Sequence, residues 1–370
     1  MRAARQTLIP QDRAGFYTNN FDLIRLLLAL LVVWSHSFAL FFGSEQDEPL
    51  SILTNGAYNA GNIGVWGFFV ISGFLITASF ERSASLTRYC GSRVRRIYPG
   101  YLAATSICAF VVTPIFAPPG FALGLFDVAA TLGNNLLLGN HFPLPRLFAD
   151  NPIHAINGSL WSIKFEFFCY AGAALLGLFA ARMRRWVAIF AYVLVVAIWC
   201  WLDITGRRPG GSPIVFAAIG WPYRWFWVLP NFLAGMIAYL NRDRLPRSGR
   251  ALIAALIACL AALHLGEALP AGIVAAHILV PPTMAYLILW IAYHPGIPGR
   301  HIARFGDFSY GTYLYAFVIQ QILVATTALP FWPFVVLSMA LSLLAGAASW
   351  HLVERHFLRS GNHPAEHRPL

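Results

Sequence analysis

Residues 21–43 read FDLIRLLLALLVVWSHSFALFFG, an apolar run that contains Arg25 and His36. A transmembrane helix needs about 20 mostly apolar residues, and this run has that length. It is too long for the apolar part of a signal peptide, and no small-residue cleavage site follows it, so it reads as a retained first span. Runs of the same kind recur near 60–80, 98–117, 157–181, 186–203, 213–240, 251–267, 271–293, 304–328 and 330–353. With 58% hydrophobic residues, 11% charged and a mean hydropathy of +0.62 over 370 residues, the chain is too apolar for a soluble domain. The expected fold is all-α: a polytopic integral membrane protein of about ten transmembrane helices with both termini cytoplasmic. Its expected parts are a cytoplasmic segment 1–20, a ten-helix membrane domain 21–356 and a cytoplasmic tail 357–370.

The arginines test this layout, because basic residues collect in cytoplasmic loops. With the N-terminus inside, the inside segments hold 20 of the 26 lysines and arginines, in groups that include Arg82 to Arg96, Arg182 to Arg185 and Arg242 to Arg250. The outside segments hold only Arg146, Arg207 and Arg208, together with seven of the 15 acids, among them Glu45, Glu48 and Asp203. The net charge of +11 is thus explained by topology, and no nucleic-acid partner is expected. The five cysteines are odd in number and lack metal-type spacing, which points to packing. The longest segment between spans, 118–156, is rich in Pro and Gly around the apolar stretch Val128–Leu138, and predicts an outside loop with a short interfacial or re-entrant helix. No internal repeat of the transporter type is evident.

Ionisable residues at membrane depth are costly and are functional candidates by default. Arg25 and His36 are eleven residues apart, which at ~100° and ~1.5 Å per residue puts them within ~20° of one face and ~16 Å apart along the axis. Asp22, Ala29 and Val32 fall on the same stripe, with Asp22 spaced to pair with Arg25. Spacing leaves two readings open. One is an ion pair that snorkels to the interface and a histidine hydrogen-bonded inside the bundle; the other is a working stripe with room for a slender ligand beside Ala29. Glu166 sits ~13 Å down its helix, at a depth comparable to His36. It is able either to orient that imidazole or to pair with Lys164 or Arg224. Arg93, Arg95 and Arg96 form a guanidinium cluster suited to phosphates, and equally suited to fixing topology. Gly67, Ser72 and Gly73 are small residues that permit close helix packing.

Taken in order, several stretches resemble the acyltransferase-3 family of membrane acyltransferases. They are Phe21-Asp-Leu-Ile-Arg25 with His36, Gly67 to Thr77, Arg93-Val-Arg-Arg-Ile-Tyr-Pro99, Gly158-Ser-Leu-Trp-Ser162 with Glu166, Phe305 to Tyr315, and Leu352-Val-Glu-Arg355. The resemblance runs from about residue 20 to 359 and implies ten spans in a bacterial cytoplasmic (inner) membrane. It also implies an acyl-CoA donor, usually acetyl-CoA, bound from the cytoplasm, and acylation of a hydroxyl on a glycan or glycoconjugate at the outer face. No metal is expected, and partners from polysaccharide assembly are compatible with it. The resemblance makes His36, Glu166 and Arg25 the catalytic candidates and gives the donor's phosphates to Arg93, Arg95 and Arg96, with Arg25 on its route. Asp22, Ser72, Trp161 and Lys164 are the expected supporting residues.

The resemblance has two gaps. Many relatives carry a histidine after the aromatic of the ninth-span motif, whereas Tyr315 is followed by Ala316, so no catalytic residue is carried over from that span. Some relatives append an esterase-like domain. This sequence stops after its tenth expected span, which leaves acceptor binding to the membrane domain or a partner. The competing expectation is a proton-coupled transporter or flippase of a saccharide, in which Arg25, His36 and Glu166 relay charge without covalent chemistry.

Overall fold

The computed structural model describes residues 7–139, 147–297, 299 and 304–358. Arg2, Arg5, Arg146, Arg300, Arg359, Arg368 and most of the expected tail 357–370 lie outside them. Among the described residues there is no strand, only an isolated bridge between Thr7 and Pro246. The main helices are α1 (Phe21–Phe42), α2 (Ala60–Arg82), α3 (Leu86–Ile107), α4 (Leu125–Leu136), α5 (Trp161–Gly177) and α6 (Ala181–Ile204). They continue with α7 (Arg224–Leu240), α8 (Gly249–Ala268), α9 (Pro270–Ala292), α10 (Ser309–Thr326) and α11 (Phe331–Ser349).

Six helical stretches among the described residues are long and apolar enough to cross a membrane: Ala14–Phe42, Ala60–Arg82, Leu86–Phe116, Met183–Ile204, Ala271–Ala292 and Phe331–Leu358. Helices also occupy the other four expected segments. Of these, α5 and α7 have only 17 residues each, and α10 carries buried Thr312, Gln320 and Gln321. Large apolar side chains point outward on several helices, among them Phe190 (67% exposed), Ile257 (61%) and Val336 (67%). A surface so apolar suits lipid rather than water.

Two boundaries differ from the sequence reading for local reasons. The third helix begins at Leu86, where the Ser85 side chain caps it by accepting from Arg88 N–H, so the arginines expected in a loop are helical. It then runs through a π-helical turn at Cys108–Val112 into Thr113–Phe116. The expected span 213–240 is broken: Pro213–Ile219 ends at Gly220 in a positive-φ conformation (φ 75°), and Pro222 intervenes before α7. In the loop after α3, the short helix falls at Leu125–Leu136, three residues ahead of its expected start, and presents Leu125 and Phe126 outward (87% and 80% exposed).

Helix α2 is the central element, held between α1 and α7 by glycines on two opposite faces. On one face, a Cβ at Gly64 or Gly67 would lie 2.5 Å from Val32 or 2.7 Å from Leu28 of α1. On the other, a Cβ at Gly73 would lie 1.9 Å from the Phe232 carbonyl, and one at Gly235 of α7 would lie 2.1 Å from that of Val70. The α2–α7 contact is therefore backbone on backbone, the close approach that small residues allow. At the arginine-rich end, Asn20 joins α1 to the end of α9, its N–H donating to Ala292 O (2.9 Å) and its side chain to Ile291 O (3.1 Å). At the opposite end, Trp34 donates to Glu48 (3.3 Å) and Asn59 to Glu45.

A side chain at Gly73 has only backbone to displace. Gly73→Val is expected to cost about 3 kcal/mol or more of stability by overpacking, read as a large fall in the unfolding temperature of detergent-purified protein. Gly172→Ala, where a Cβ meets nothing within 4 Å, should leave that temperature unchanged or slightly raised.

Candidate functional site

The expected site residues lie on α1, α2, α3 and α5, and the structure arranges most of them with α10 as a column of polar contacts inside the bundle. Its base is ionic. The Arg25 guanidinium lies 3.3 Å from Asp22 and 3.5 Å from Asp307, and Arg96 donates to Asp307 at 2.5 Å. Asp307 is 4% exposed and is fixed in place by its own chain: its carboxylate accepts from the N–H (3.2 Å) and hydroxyl (2.5 Å) of Ser309. The preceding Gly306 has φ 117° and packs where a Cβ would meet the Trp350 indole, so only glycine delivers the carboxylate to this spot. Arg96, Arg25 and the Ser309 hydroxyl together offset the cost of burying its charge. Two cations and two anions thus neutralise one another.

Arg93 and Arg96 share a face of α3, being three residues apart. The Arg93 guanidinium lies over the rings of Tyr89 and Tyr170, 5.8 Å from each centroid, and that of Arg96 over Tyr310 at 5.5 Å. Arg95 falls on another face and is exposed. The structure therefore brings Arg25, Arg93 and Arg96 to one mouth and leaves Arg95 outside it.

Above this level, Glu166 accepts from the Tyr170 hydroxyl and from Ser72 Oγ, each at 2.6 Å. Glu166 pairs with neither of the cations considered for it. Lys164 donates to Ala217 O at 2.5 Å, and the Arg224 guanidinium stacks 4.2 Å from the Trp161 ring centroid. Among the described residues no hydrogen bond joins Glu166 to His36. Ser72 emerges as a carboxylate partner rather than only a small packing residue.

One turn earlier on α5, Ser162 Oγ lies 2.7 Å from the Tyr313 hydroxyl, which donates to Ser159 O at 2.6 Å. Higher still is His36. Its Nδ1 is buried without a hydrogen-bond partner, and its ring meets the edge of Phe317 at 5.3 Å. The backbone around it is fixed by the fully buried Gln320, which donates to Val33 O (2.9 Å) and Ser37 Oγ (2.8 Å) across α10 and α1. Ala29 and Val32 between Arg25 and His36 are buried, as the stripe requires. Among the described residues no group of three His, Cys, Asp or Glu side chains converges to hold a metal ion.

Sequence reasoning missed Asp307 as the hub, and missed Tyr170, Tyr313 and Gln320. Asp307 had a readable signal, since Gly-Asp-x-Ser ahead of an apolar helix is the pattern of an aspartate turning back on its own backbone. Tyr170 had one too, four residues after Glu166 on the same helix face, whereas Tyr313 and Gln320 carry none, because their partners come from distant parts of the chain.

A family model described as an acyltransferase domain matches residues 18–351. An O-acetyl transferase of Shigella phage Sf6 is 28% identical over 92% of this chain and 96% of its own. Nodulation protein 10 of Rhizobium leguminosarum bv. viciae is 26% identical, over 93% of this chain and 94% of its own. Exopolysaccharide production protein ExoZ of Rhizobium meliloti (strain 1021) is 28% identical, over 83% and 93%. No solved structure matches significantly.

Removing the hub carboxylate leaves the partly buried Arg96 without this ion pair and Arg25 with its Asp22 contact. Asp307→Ala is expected to cost about 3–5 kcal/mol, and the paired change Asp307→Leu with Arg96→Met to recover much of it, since the isolated charge rather than the missing bond dominates the cost. Thermal unfolding of purified protein checks both.

Proposed function

The chain belongs to the acyltransferase family described by that model, and on this premise we propose that it is a membrane O-acetyltransferase moving an acyl group from cytoplasmic acyl-CoA to a glycan hydroxyl at the outer face. The observation that carries this reading is the separation, on one helix, of a buried and unpartnered imidazole nitrogen from an arginine-lined mouth. The names of two relatives, an O-acetyl transferase and an exopolysaccharide production protein, support the reaction and the class of acceptor. The helices in all ten expected segments support ten spans with both ends inside, and the basic mouth supports entry of the donor from that side.

In this reading, Arg93 and Arg96 receive the donor's phosphates and Arg25 guides its pantetheine arm, which spans the ~16 Å to His36. Arg95 contributes only to the surrounding positive field. Tyr170, Glu166, Ser72 and Tyr313 line the arm's route with hydrogen-bonding groups, so Glu166 acts on the donor's path and not on the imidazole. Asp22 and Asp307 hold Arg25 and Arg96 in place.

At the end of the arm, His36 takes the proton of the acceptor hydroxyl as its oxygen attacks the thioester carbonyl. The carbon–sulfur bond breaks, and the CoA thiolate leaves with the proton held by the imidazolium. Imidazole is suited to this exchange near neutral pH. Trp161 and Lys164 support the fold through Arg224 and Ala217.

His36→Ala is expected to lower acyl-CoA-dependent glycan acylation by a factor on the order of 10²–10⁴, in protein whose unfolding temperature is unchanged. Mass spectrometry of surface glycans, run beside an assay of free CoA, reads the outcome. Full acylation by the variant would overturn the role of His36. Glycan movement without acyl-CoA consumption would favour the transporter.

A further inference from the structure

A second constellation lies at the opposite end of the bundle from the arginine-rich mouth. A cavity of about 390 Å³ opens between the start of α2, the end of α6, the start of α7 and the helices α8 and α9. That volume is in the range of small-molecule pockets. Its rim is the exposed turn Asn55–Ala57, in which Asn55 and Gly56 are left-handed. Thr54 pins this turn, its Oγ lying 2.6 Å from Tyr58 O and accepting from Tyr58 N–H. The pocket is therefore formed in advance.

The wall combines two chemistries. Tyr58, Trp66, Trp199, Tyr223 and Trp227 supply aromatic surface. Against them stands Asp203, whose carboxylate accepts from Arg208 (2.9 Å), from His277 Nε2–H (2.7 Å) and from the Tyr223 hydroxyl. Trp199 stacks flat on His277 at 3.7 Å and fixes it. Arg208 leans 4.5 Å over the Tyr223 ring with its side chain half exposed. Arg208, paired with Asp203, is the one arginine or lysine lining the cavity among the described residues, so it lacks the cluster of guanidiniums that gathers at the opposite mouth and that a phosphate group calls for. A lipid chain would have no use for the charged hub. Aromatic faces beside rigid hydrogen-bonding groups fit a ligand with apolar C–H faces and a hydroxylated edge.

We propose that this cavity is a saccharide-binding subsite, which holds one uncharged sugar unit of the acceptor at a distance from the hydroxyl being acylated. The proposal rests on the acyltransferase reading above. The distance follows from α2: Gly64 and Gly67 face α1, the helix of His36, whereas Asn62 and Trp66 line the cavity from the opposite face of α2. A helix about 10 Å across stands between the two places. One sugar ring does not occupy both, so the acceptor is an oligomer or polymer that passes over the N-terminus of α2.

The test uses full-length protein in detergent with acetyl-CoA. The probes are short oligosaccharide fragments of the producing organism's own surface polysaccharide, and a methyl glycoside of a single sugar from it. Arg208→Ala and Trp227→Ala are expected to raise KM for the fragments by about tenfold or more with kcat changed by less than about threefold, while Trp227→Phe recovers much of the loss. The single sugar is expected to be a poor acceptor even for the unaltered protein. Unchanged fragment KM in both variants, or a single sugar as effective as the fragments, would overturn the proposal. So would a fall in kcat alone. Calorimetric binding of fragments that both variants lose, in protein that consumes no acetyl-CoA, would uphold the saccharide site and defeat the acyltransferase reading.

Discussion

One carboxylate, that of Asp307, holds the working end of this molecule together. It lies within ion-pair distance of guanidiniums from two separate helices, Arg25 of α1 and Arg96 of α3, and sits at the mouth of a third, α10. Buried charges are tolerated only when matched, and a broken match is costly. The positions of these three helices are therefore fixed relative to one another at the level where the donor is proposed to enter. Because the ion pairs are already formed, the arginines need not be ordered anew when an anionic ligand arrives, and preorganisation of this kind reduces the cost of binding.

Above that level, the polar contacts change character along the bundle. Ionic pairs give way to the Glu166–Tyr170–Ser72 cluster, then to the neutral Ser162–Tyr313 contact, and then to an imidazole nitrogen with no partner at all. A buried polar atom without a partner is costly, and in an acyltransferase the proposed account of it is a bond made only when the reactants are present. The relatives share the chain nearly end to end, so the column is expected to serve a common reaction. The cavity around Asp203, at the far end, is where differences in acceptor are expected to register.

What was legible in the sequence followed from periodic or local rules. The apolar runs gave the helices, and the eleven-residue spacing put Arg25 and His36 on one face. The Asp22–Arg25 pair was readable as an i,i+3 contact and is present. Equal depth suggested that Glu166 met His36, and this was a poor guide: depth along two helices says nothing about which faces they turn toward each other. The three arginines looked like one cluster because they are neighbours in sequence, yet a helix turns neighbours apart. Only Arg93 and Arg96, three apart, share a face. Gln320 and the Asp203–His277 pair were hidden for the same reason, since each finds its partner through tertiary packing that no local pattern encodes.

The glycine contacts of α2 bear on how the protein works as a machine. Gly73 and Gly235 set the backbones of α2 and α7 against each other with no side-chain layer between them to act as a bearing, and Gly64 and Gly67 seat α2 on the Val32 and Leu28 side chains of α1. Sliding or rolling of α2 past α7 would drive carbonyls into α-carbons. Carriers that alternate their openings depend on such relative motion between bundles. A core clamped in this way favours a stationary conduit, through which the flexible part is the cargo's own chain and not the protein around it.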